Sequence, residues 1–293
     1  MSDILLLTIT GLGLAGLYFL VASGLSLIYG LMGVLNFAHG AFLTIGAYAG
    51  WYVMDKTMAS GENTSLIYGC IAAAVAGAVF AFLTELLLIR RLYRRHIDQV
   101  LVTVGLGLAV GAAVAGYAGN DARFLMVPQW LNNGFELSGT FIPYDRFLLM
   151  GVGVAVLVIL QLLLQKTRLG LVIRAGVENR SMVQALGIDV QRTFTIVFAL
   201  GGAAAGLAGA LTAVYYRSVA PSIGASLLLF AFIVVVIGGM GSVTGTALAA
   251  IVVGILQQFA NFYVSSIGDL AVVALLAVVL LTRPQGLLGK AVH

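Results

Sequence analysis

Apolar residues run in long stretches at 4–29, 31–54, 66–89, 100–118, 147–164, 194–216, 227–238, 247–264 and 270–281, and polar residues gather in the gaps. About 20 consecutive apolar residues cross the hydrocarbon core of a bilayer as a helix. The first six stretches are long enough, whereas 227–238 and 270–281 are short and read as half-helices or re-entrant segments. The stretches lack the alternating polarity of a membrane strand, which excludes an outer-membrane barrel. Within lipid a single segment satisfies its own backbone only as a helix. The pattern predicts an all-α, polytopic helical membrane protein with eight or nine transmembrane helices, forming one membrane domain over residues 1–293. The first two stretches are separated only by Gly30 to Gly33, a tight hairpin if both cross.

Composition removes the soluble alternative. The chain is 61% hydrophobic and 9% charged, with a mean hydropathy of +1.09, against about 25% charged residues in soluble domains. The polar gaps are too short to hold a second core. The net charge of +4 is unevenly placed. Eleven of the fifteen basic residues fall in three gaps: Arg90, Arg91, Arg94 and Arg95; Lys166, Arg168, Arg174, Arg180 and Arg192; and Arg283 and Lys290 in the tail. The other gaps pair Lys56, Arg123, Arg146 and Arg217 with Asp3, Asp55, Glu62, Asp121, Glu136, Asp145 and Asp269. By the positive-inside rule the basic gaps are cytoplasmic, and so is the C-terminus. The basic charge is therefore a topology signal and not a nucleic-acid patch. The N-terminus lacks a basic leader and a small-residue cleavage site, so the first stretch reads as a retained helix.

Candidate chemistry is sparse. Cys70 is the single cysteine and the histidines, at 39, 96 and 293, are far apart, so the sequence supports neither a disulfide nor a metal site, and no cofactor is expected. No phosphate-binding loop, nucleophile elbow or HExxH is present, which argues against an enzyme and against ATP hydrolysis by this chain. GLGLAG, residues 11–16, has dinucleotide-fingerprint spacing but lies inside a membrane stretch, where it reads as small-residue packing. Two ridges, Gly202–Gly206–Ala210 and Gly107–Gly111–Ala115, predict close helix contacts on the same ground. Trp51, Tyr52, Trp130, Tyr215 and Tyr216 fall where an external aromatic belt is expected, and the gap 119–146 has room for a short interfacial helix. Glu85, near the inner end of its stretch, is either a functional intramembrane charge or a side chain that snorkels or pairs with arginine.

Three places carry more information. VLNFAHGAFLTIGAY, residues 34–48, puts Asn36 and His39 among Gly33, Gly40 and Gly46 inside an apolar stretch. Polar groups at such depth face protein or a water-filled cavity, so Asn36, His39 and Gly40 either line a path or hold a bend beside it. VIGGMGSVTGTAL, residues 236–248, repeats the glycine-rich break, with Gly239 and Gly241 in the places of Leu31 and Gly33. Interrupted helices in matching positions point to a transport path. In the longest basic gap, about 166–193, VENRSMVQAL suits a short amphipathic helix. Val177, Met182, Val183 and Leu186 share one face, Glu178, Asn179, Arg180 and Gln184 are polar, and Gly187 ends it. Such a stripe seeks a partner surface or the membrane interface.

With GLSLIYGLMGVLNFAHGAFLTIGAY, RAGVENRSMVQALGID and GGMGSVTGTALAAIVVGILQ, the sequence resembles the inner-membrane permease subunits of bacterial ATP-binding-cassette importers for branched-chain amino acids, over nearly its whole length. The resemblance implies the permease fold of such importers and a multi-pass protein of the bacterial inner membrane. It also implies a second homologous permease, two cytoplasmic ATP-binding subunits and an external substrate-binding protein as partners. Glu178, Asn179, Arg180, Ala185, Leu186 and Gly187 would couple to the ATPases, and Asn36, His39, Gly40, Gly239 and Gly241 would serve the path or its bend. Relatives of this family import urea, short amides or other amino acids, and these remain open alternatives. Many members carry an acidic residue directly after NFAHG, where this chain has Ala41. Outside this class, a self-sufficient channel or secondary transporter is the competing reading.

Overall fold

The computed structural model describes residues 2–33, 35–59, 64–93, 95–137, 140–178, 182–183, 187–264 and 267–289. Among the described residues eleven α-helices with defined bounds follow in chain order: α1 (Ser2–Met32), α2 (His39–Ala59), α3 (Ser65–Leu87), α4 (His96–Ala118), α5 (Gln129–Asn132), α6 (Tyr144–Lys166), α7 (Arg168–Glu178), α8 (Val190–Tyr216), α9 (Ile223–Gly238), α10 (Val243–Tyr263) and α11 (Gly268–Thr282). Six of them, α1, α3, α4, α6, α8 and α10, are long and apolar enough to cross a membrane; α9 and α11 are apolar but shorter. At 16 and 15 residues these two are about 24 and 22 Å long, less than a hydrocarbon core of about 30 Å. α2 has 21 residues, but Asp55, Lys56 and its glycines dilute its hydropathy.

The α1–α2 break lies elsewhere than the sequence suggests. α1 runs unbroken through Gly30 to Met32, so no hairpin forms at 30–33, and among the described residues 33 and 35–38 are non-helical. Gly33 takes φ +67° and donates to the Tyr29 carbonyl at 2.8 Å, ending α1 in the left-handed conformation that glycine adopts freely. The apolar stretch at 31–54 therefore begins in the last residues of α1, and α2 starts only at His39.

Small residues set the tightest contacts, because in lipid helices associate through packing and not through the hydrophobic effect. The ridge Gly202–Gly206–Ala210 is the center of the bundle. A Cβ on Gly206 would run into the Ala73 carbonyl of α3, one on Gly202 into Ala81, and one on Gly46 of α2 into Gly206 itself. α8 thus holds α2 and α3 at backbone distance, and α1 joins where Gly24 meets the Gly201 carbonyl. α1 and α10 run antiparallel: Gly11 faces Ile255, Ser26 accepts from Thr246 at 3.0 Å, and Gly30 touches Gly241. The GLGLAG segment is packing, as expected, with Gly11 on α10 and Gly13 and Gly16 on Arg146 and Leu149 of α6.

The second predicted ridge does not pack. A Cβ on Gly111 of α4 would meet nothing within 4 Å, and one on Gly107 would meet only the Phe37 carbonyl at 3.5 Å. Only Gln99 and Thr103 of α4 are buried.

The gap 119–146 holds the expected short helix, α5, together with unpredicted β structure. The strands Gly134–Leu137 and Thr140–Pro143 pair antiparallel, with Phe135 opposite Ile142, and a two-residue strand at Arg123–Phe124 pairs with Ser218–Val219. This small cap sits at the α8 C-terminal end of the bundle.

Candidate functional site

Asn36 builds the start of α2. Its Oδ1 accepts from the Ala38 amide at 3.1 Å and its carbonyl accepts from the His39 amide at 3.2 Å, a local turn that an asparagine favours. Both residues are deeply buried, Asn36 at 3% exposure and His39 at 0%. His39 Nε2 lies 2.9 Å from the Val21 carbonyl. A carbonyl only accepts, so Nε2 carries the proton and Nδ1 has its lone pair free. Asn36 Nδ2 and His39 Nδ1 have no hydrogen-bond partner among the described residues. The imidazole presses on Gly24, where any side chain would collide with it, and its edge meets Phe42 at 6.0 Å between ring centers.

His39 is level with Gly24 of α1 and Gly201 of α8, far from the ends of both helices. α2 therefore starts inside the bundle. So does α9. A Cβ on Gly224, the second residue of α9, would overlap the Gly40 carbonyl and the Thr44 hydroxyl. The two helix N-termini meet at Gly40 and Gly224, with first-turn amides satisfied by turn carbonyls, Ala41 and Phe42 by Ala38, Ile223 by Ala220 and Ser226 by Ser222. Reading the sequence missed α9 as the partner of α2, although Pro221-Ser-Ile-Gly224 carries a helix-start signal.

The residues named from sequence do not form one cluster. Asn36, His39 and Gly40 belong to the buried break. Gly239 and Gly241, at φ +98° and +84°, lie at the α9–α10 turn, with Gly241 against Gly30 and Gly239 against Gly289 of the tail. From Gly24 to Gly30 along α1 is about 9 Å. The two glycine-rich breaks do touch, through Gly30 and Gly241, but at the end of the bundle that carries the tail. Ala41, directly after His39 and Gly40, is 3% exposed.

Unforeseen polar groups join Asn36. Gln99 and Thr103 of α4 line a small cavity with Asn36, Ile28, Met32 and Phe198, of about 10 Å³, room for one water. Thr103 accepts from the Phe37 amide at 3.3 Å, and Gln99 Oε1 is unsatisfied across from the Asn36 amide donor. Glu85 is fully buried, and the arginine pairing expected for it is absent among the described residues; it accepts instead from Tyr93 and, at 2.6 Å, from Thr195. Two of the expected belt aromatics hold the fold as well. The Trp51 indole donates to the Phe124 carbonyl at 3.0 Å under Arg123, and Tyr215 lies beneath the Arg146 guanidinium.

In the coupling stretch, Asn179, Arg180, Ala185 and Leu186 lie outside the described residues, and of Glu178 only its place at the end of α7 is described. Met182 and Val183 are helical, Gly187 takes φ +79°, and the Ile188 amide reaches back to the Val183 carbonyl at 3.3 Å. That bond across a left-handed glycine is a helix terminator, as expected of Gly187. The amphipathic α7 directly precedes it, with Ile173 buried and Leu171 exposed.

A helical membrane bundle whose interior is entered by the ends of two broken helices has the architecture of a transport protein. A family model described as "Branched-chain amino acid transport system / permease component" matches residues 7–282, and the chain belongs to that family. It is 29% identical over 290 residues to LivH of Salmonella typhimurium, named as a high-affinity branched-chain amino acid transport system permease protein, covering 96% of this chain and 94% of LivH. It is 28% identical over 291 residues to BraD of Pseudomonas aeruginosa, of the same description, with 96% and 94% covered. LivM of Escherichia coli K12 matches at 27% over 296 residues, covering 93% of this chain and 68% of LivM. No solved structure matches the chain.

Proposed function

We propose that this chain is the membrane permease subunit of an ATP-driven importer of branched-chain amino acids in the bacterial inner membrane. The observation that carries the mechanism is the meeting of α2 and α9 at Gly40 and Gly224 inside the bundle. Small residues let the two helix starts close on each other, and separating them would open the interior to a substrate. The conformation described is shut there, since not even a Cβ at Gly224 would fit beside the Gly40 carbonyl and the Thr44 hydroxyl. His39, fastened to Val21, then serves as the bend that holds α2 against α1.

The basic end of the bundle, with Arg90, Arg91, Arg168, Arg174, Arg192 and the tail, faces the cytoplasm. Two cytoplasmic ATP-binding subunits supply the energy and dock on the stretch from α7 through Gly187. A second homologous permease completes the path, and an external binding protein delivers substrate. The family match over 7–282 and the likeness to LivM as well as LivH support a two-permease assembly. ATP-driven closure moves the gate only if the ATPases contact two permease states with different affinity.

The test is co-expression with the neighbouring transport genes, purification of whatever assembles, and uptake by proteoliposomes. The expected result is ATP-dependent accumulation of leucine, isoleucine or valine, abolished by Glu178→Lys or Gly187→Leu with the chain still inserted. A chain that purifies alone and carries solute without ATP would replace this reading with a channel or secondary carrier. Preferential uptake of urea would keep the architecture and change the cargo.

A further inference from the structure

At the capped end of the bundle one carboxylate faces two cations. Asp145, at the start of α6, is 3% exposed. Arg146 Nε lies 3.6 Å from its Oδ1 and Arg217 Nη2 lies 3.4 Å from its Oδ2. Arg217 Nη2 also reaches the Leu131 carbonyl at 3.4 Å. The three side chains sum to one net positive charge. Arg146 Nε and Nη1 and Arg217 Nη1 are buried without a hydrogen-bond partner among the described residues. Unspent donors on a buried cation are costly, and a single carboxylate does not use up ten N–H groups, five on each guanidinium.

The surroundings hold both arginines in place. The Arg146 guanidinium is stacked on the Tyr215 ring, 3.9 Å from its center, so its plane is fixed. Arg217 caps α8 in the left-handed conformation, φ +56°, the one non-glycine residue there among those described. That conformation is strained in a residue with a long side chain and persists where neighbours enforce it. The cluster is not sealed, for the Arg217 side chain is 31% exposed. Next to Tyr215, the Tyr216 hydroxyl feels the charges of both Asp269 and Arg146. Asp269 accepts from Gln257 Nε2 at 2.6 Å, and Gln257 in turn accepts from Tyr18.

We propose that Arg146 and Arg217 form an entry subsite for the carboxylate of the transported α-amino acid. The inference rests on the importer reading and on the capped end being external. The negative charge of Asp269, in the electrostatic neighbourhood of the same tyrosine, makes the site fit a zwitterion better than a simple anion such as phosphate. Arginine suits the carboxylate because its planar fork binds both oxygens.

The test uses the assembled importer without its external binding protein, in nanodiscs of neutral phosphatidylcholine. Apparent affinity is read from ligand-dependent thermal stabilisation. Leucine is the probe, with 4-methylpentanoate lacking the amine, 3-methylbutylamine lacking the carboxylate, and inorganic phosphate. Wild type is expected to bind leucine most tightly, 4-methylpentanoate next, and the amine and phosphate at least tenfold more weakly. Arg146→Gln and Arg217→Gln are each expected to weaken leucine at least tenfold, and Arg123→Gln, outside the cluster, to leave it unchanged. The double variant Asp145→Asn/Arg146→Gln separates binding from charge balance. If the arginines serve only to neutralise Asp145, the double variant recovers wild-type affinity, and the subsite is overturned. Equal stabilisation by phosphate, or by vesicles rich in phosphatidylglycerol, would make it a headgroup site and overturn it too. Normal leucine uptake with affinity unmoved by Arg146→Gln sinks the subsite alone, whereas absence of any branched-chain uptake in wild type sinks the importer reading beneath it.

Discussion

α8 and α4 carry the same kind of small-residue ridge and use it differently. Gly202, Gly206 and Ala210 of α8 meet Gly77, Ala81, Ala73, Gly46 and Gly50 at backbone distance. Gly107, Gly111 and Ala115 of α4 have the same spacing, yet of the two glycines only Gly107 finds a neighbour, a carbonyl at van der Waals distance. The difference is what stands opposite. α2 and α3 present glycine and alanine at matching heights, so two smooth surfaces interlock. α4 is fastened near its start, by Gln99 to the Leu92 carbonyl at 2.8 Å and Thr103 to Phe37 at 3.3 Å, and at its end, where the Ala118 carbonyl accepts from Arg123, while a Cβ on Gly111 between them meets nothing within 4 Å. A small-residue ridge thus permits close approach without ensuring it.

The largest effect expected from this comparison is Gly206→Leu. A side chain there meets the Ala73 carbonyl and the Gly77 backbone, both on α3, so α3 or α8 must move out. Overpacking a tight core costs about 1–3 kcal/mol and occasionally more. Because the clash is with backbone, which cannot swing aside as a side chain can, the loss is expected to reach about 3 kcal/mol or more. The measurable outcome is failure to accumulate as a monodisperse species in detergent. A variant that melts within a few degrees of wild type would mean that α8 is not the center of the bundle.

Smaller is the expected effect of Glu85→Leu, where α3 meets α8. The carboxylate accepts from Tyr93 and from Thr195, and its removal deletes both hydrogen bonds, a loss of about 1–3 kcal/mol. Thr195 keeps the Gln191 carbonyl at 3.1 Å as a second acceptor, which limits its share of that loss. Glu85→Gln retains an acceptor oxygen and should recover about half. Thermal unfolding of the three proteins in one detergent checks the order. Equal melting of Glu85→Leu and wild type would show that the hydroxyls find other partners.

The class of fold was legible because hydropathy in a membrane protein reports a solvent constraint that every spanning segment obeys. Asn36, His39 and Gly40 were legible as a break for the same reason, since an amide and an imidazole in an apolar run demand an explanation. Which elements meet was not legible. The partner of Gly40 is Gly224, 184 positions on, and nothing local in either segment names the other. The grouping of Asn36 with Gly239 and Gly241 followed a sequence echo. The echo does mark a contact, Gly30 on Gly241, but at another level of α1. For Glu85 the sequence leaves open a functional charge, snorkelling or an arginine partner, whereas the 3-10 turn at Ile89–Leu92 delivers Tyr93 to it. Periodicity and polarity describe each segment's needs, and only the packed arrangement shows which neighbour meets them.

Gly111→Leu is expected to have the smallest effect on the fold, and it is the sharpest control on the comparison. The substitution has the same chemistry as Gly206→Leu and is likewise placed in mid-helix. Nothing lies within 4 Å of a Cβ at that position. Leucine is also the better helix former by close to 1 kcal/mol, with the gain muted where lipid already favours the helix. The variant should therefore melt at or slightly above the wild-type temperature when the chain is purified by itself. A fall as large as that of Gly206→Leu would mean that α4 is packed after all and that its small face is covered in the free chain. An unchanged melt, with Gly206→Leu collapsed, leaves the surface opposite the ridge as the only difference between two equal patterns.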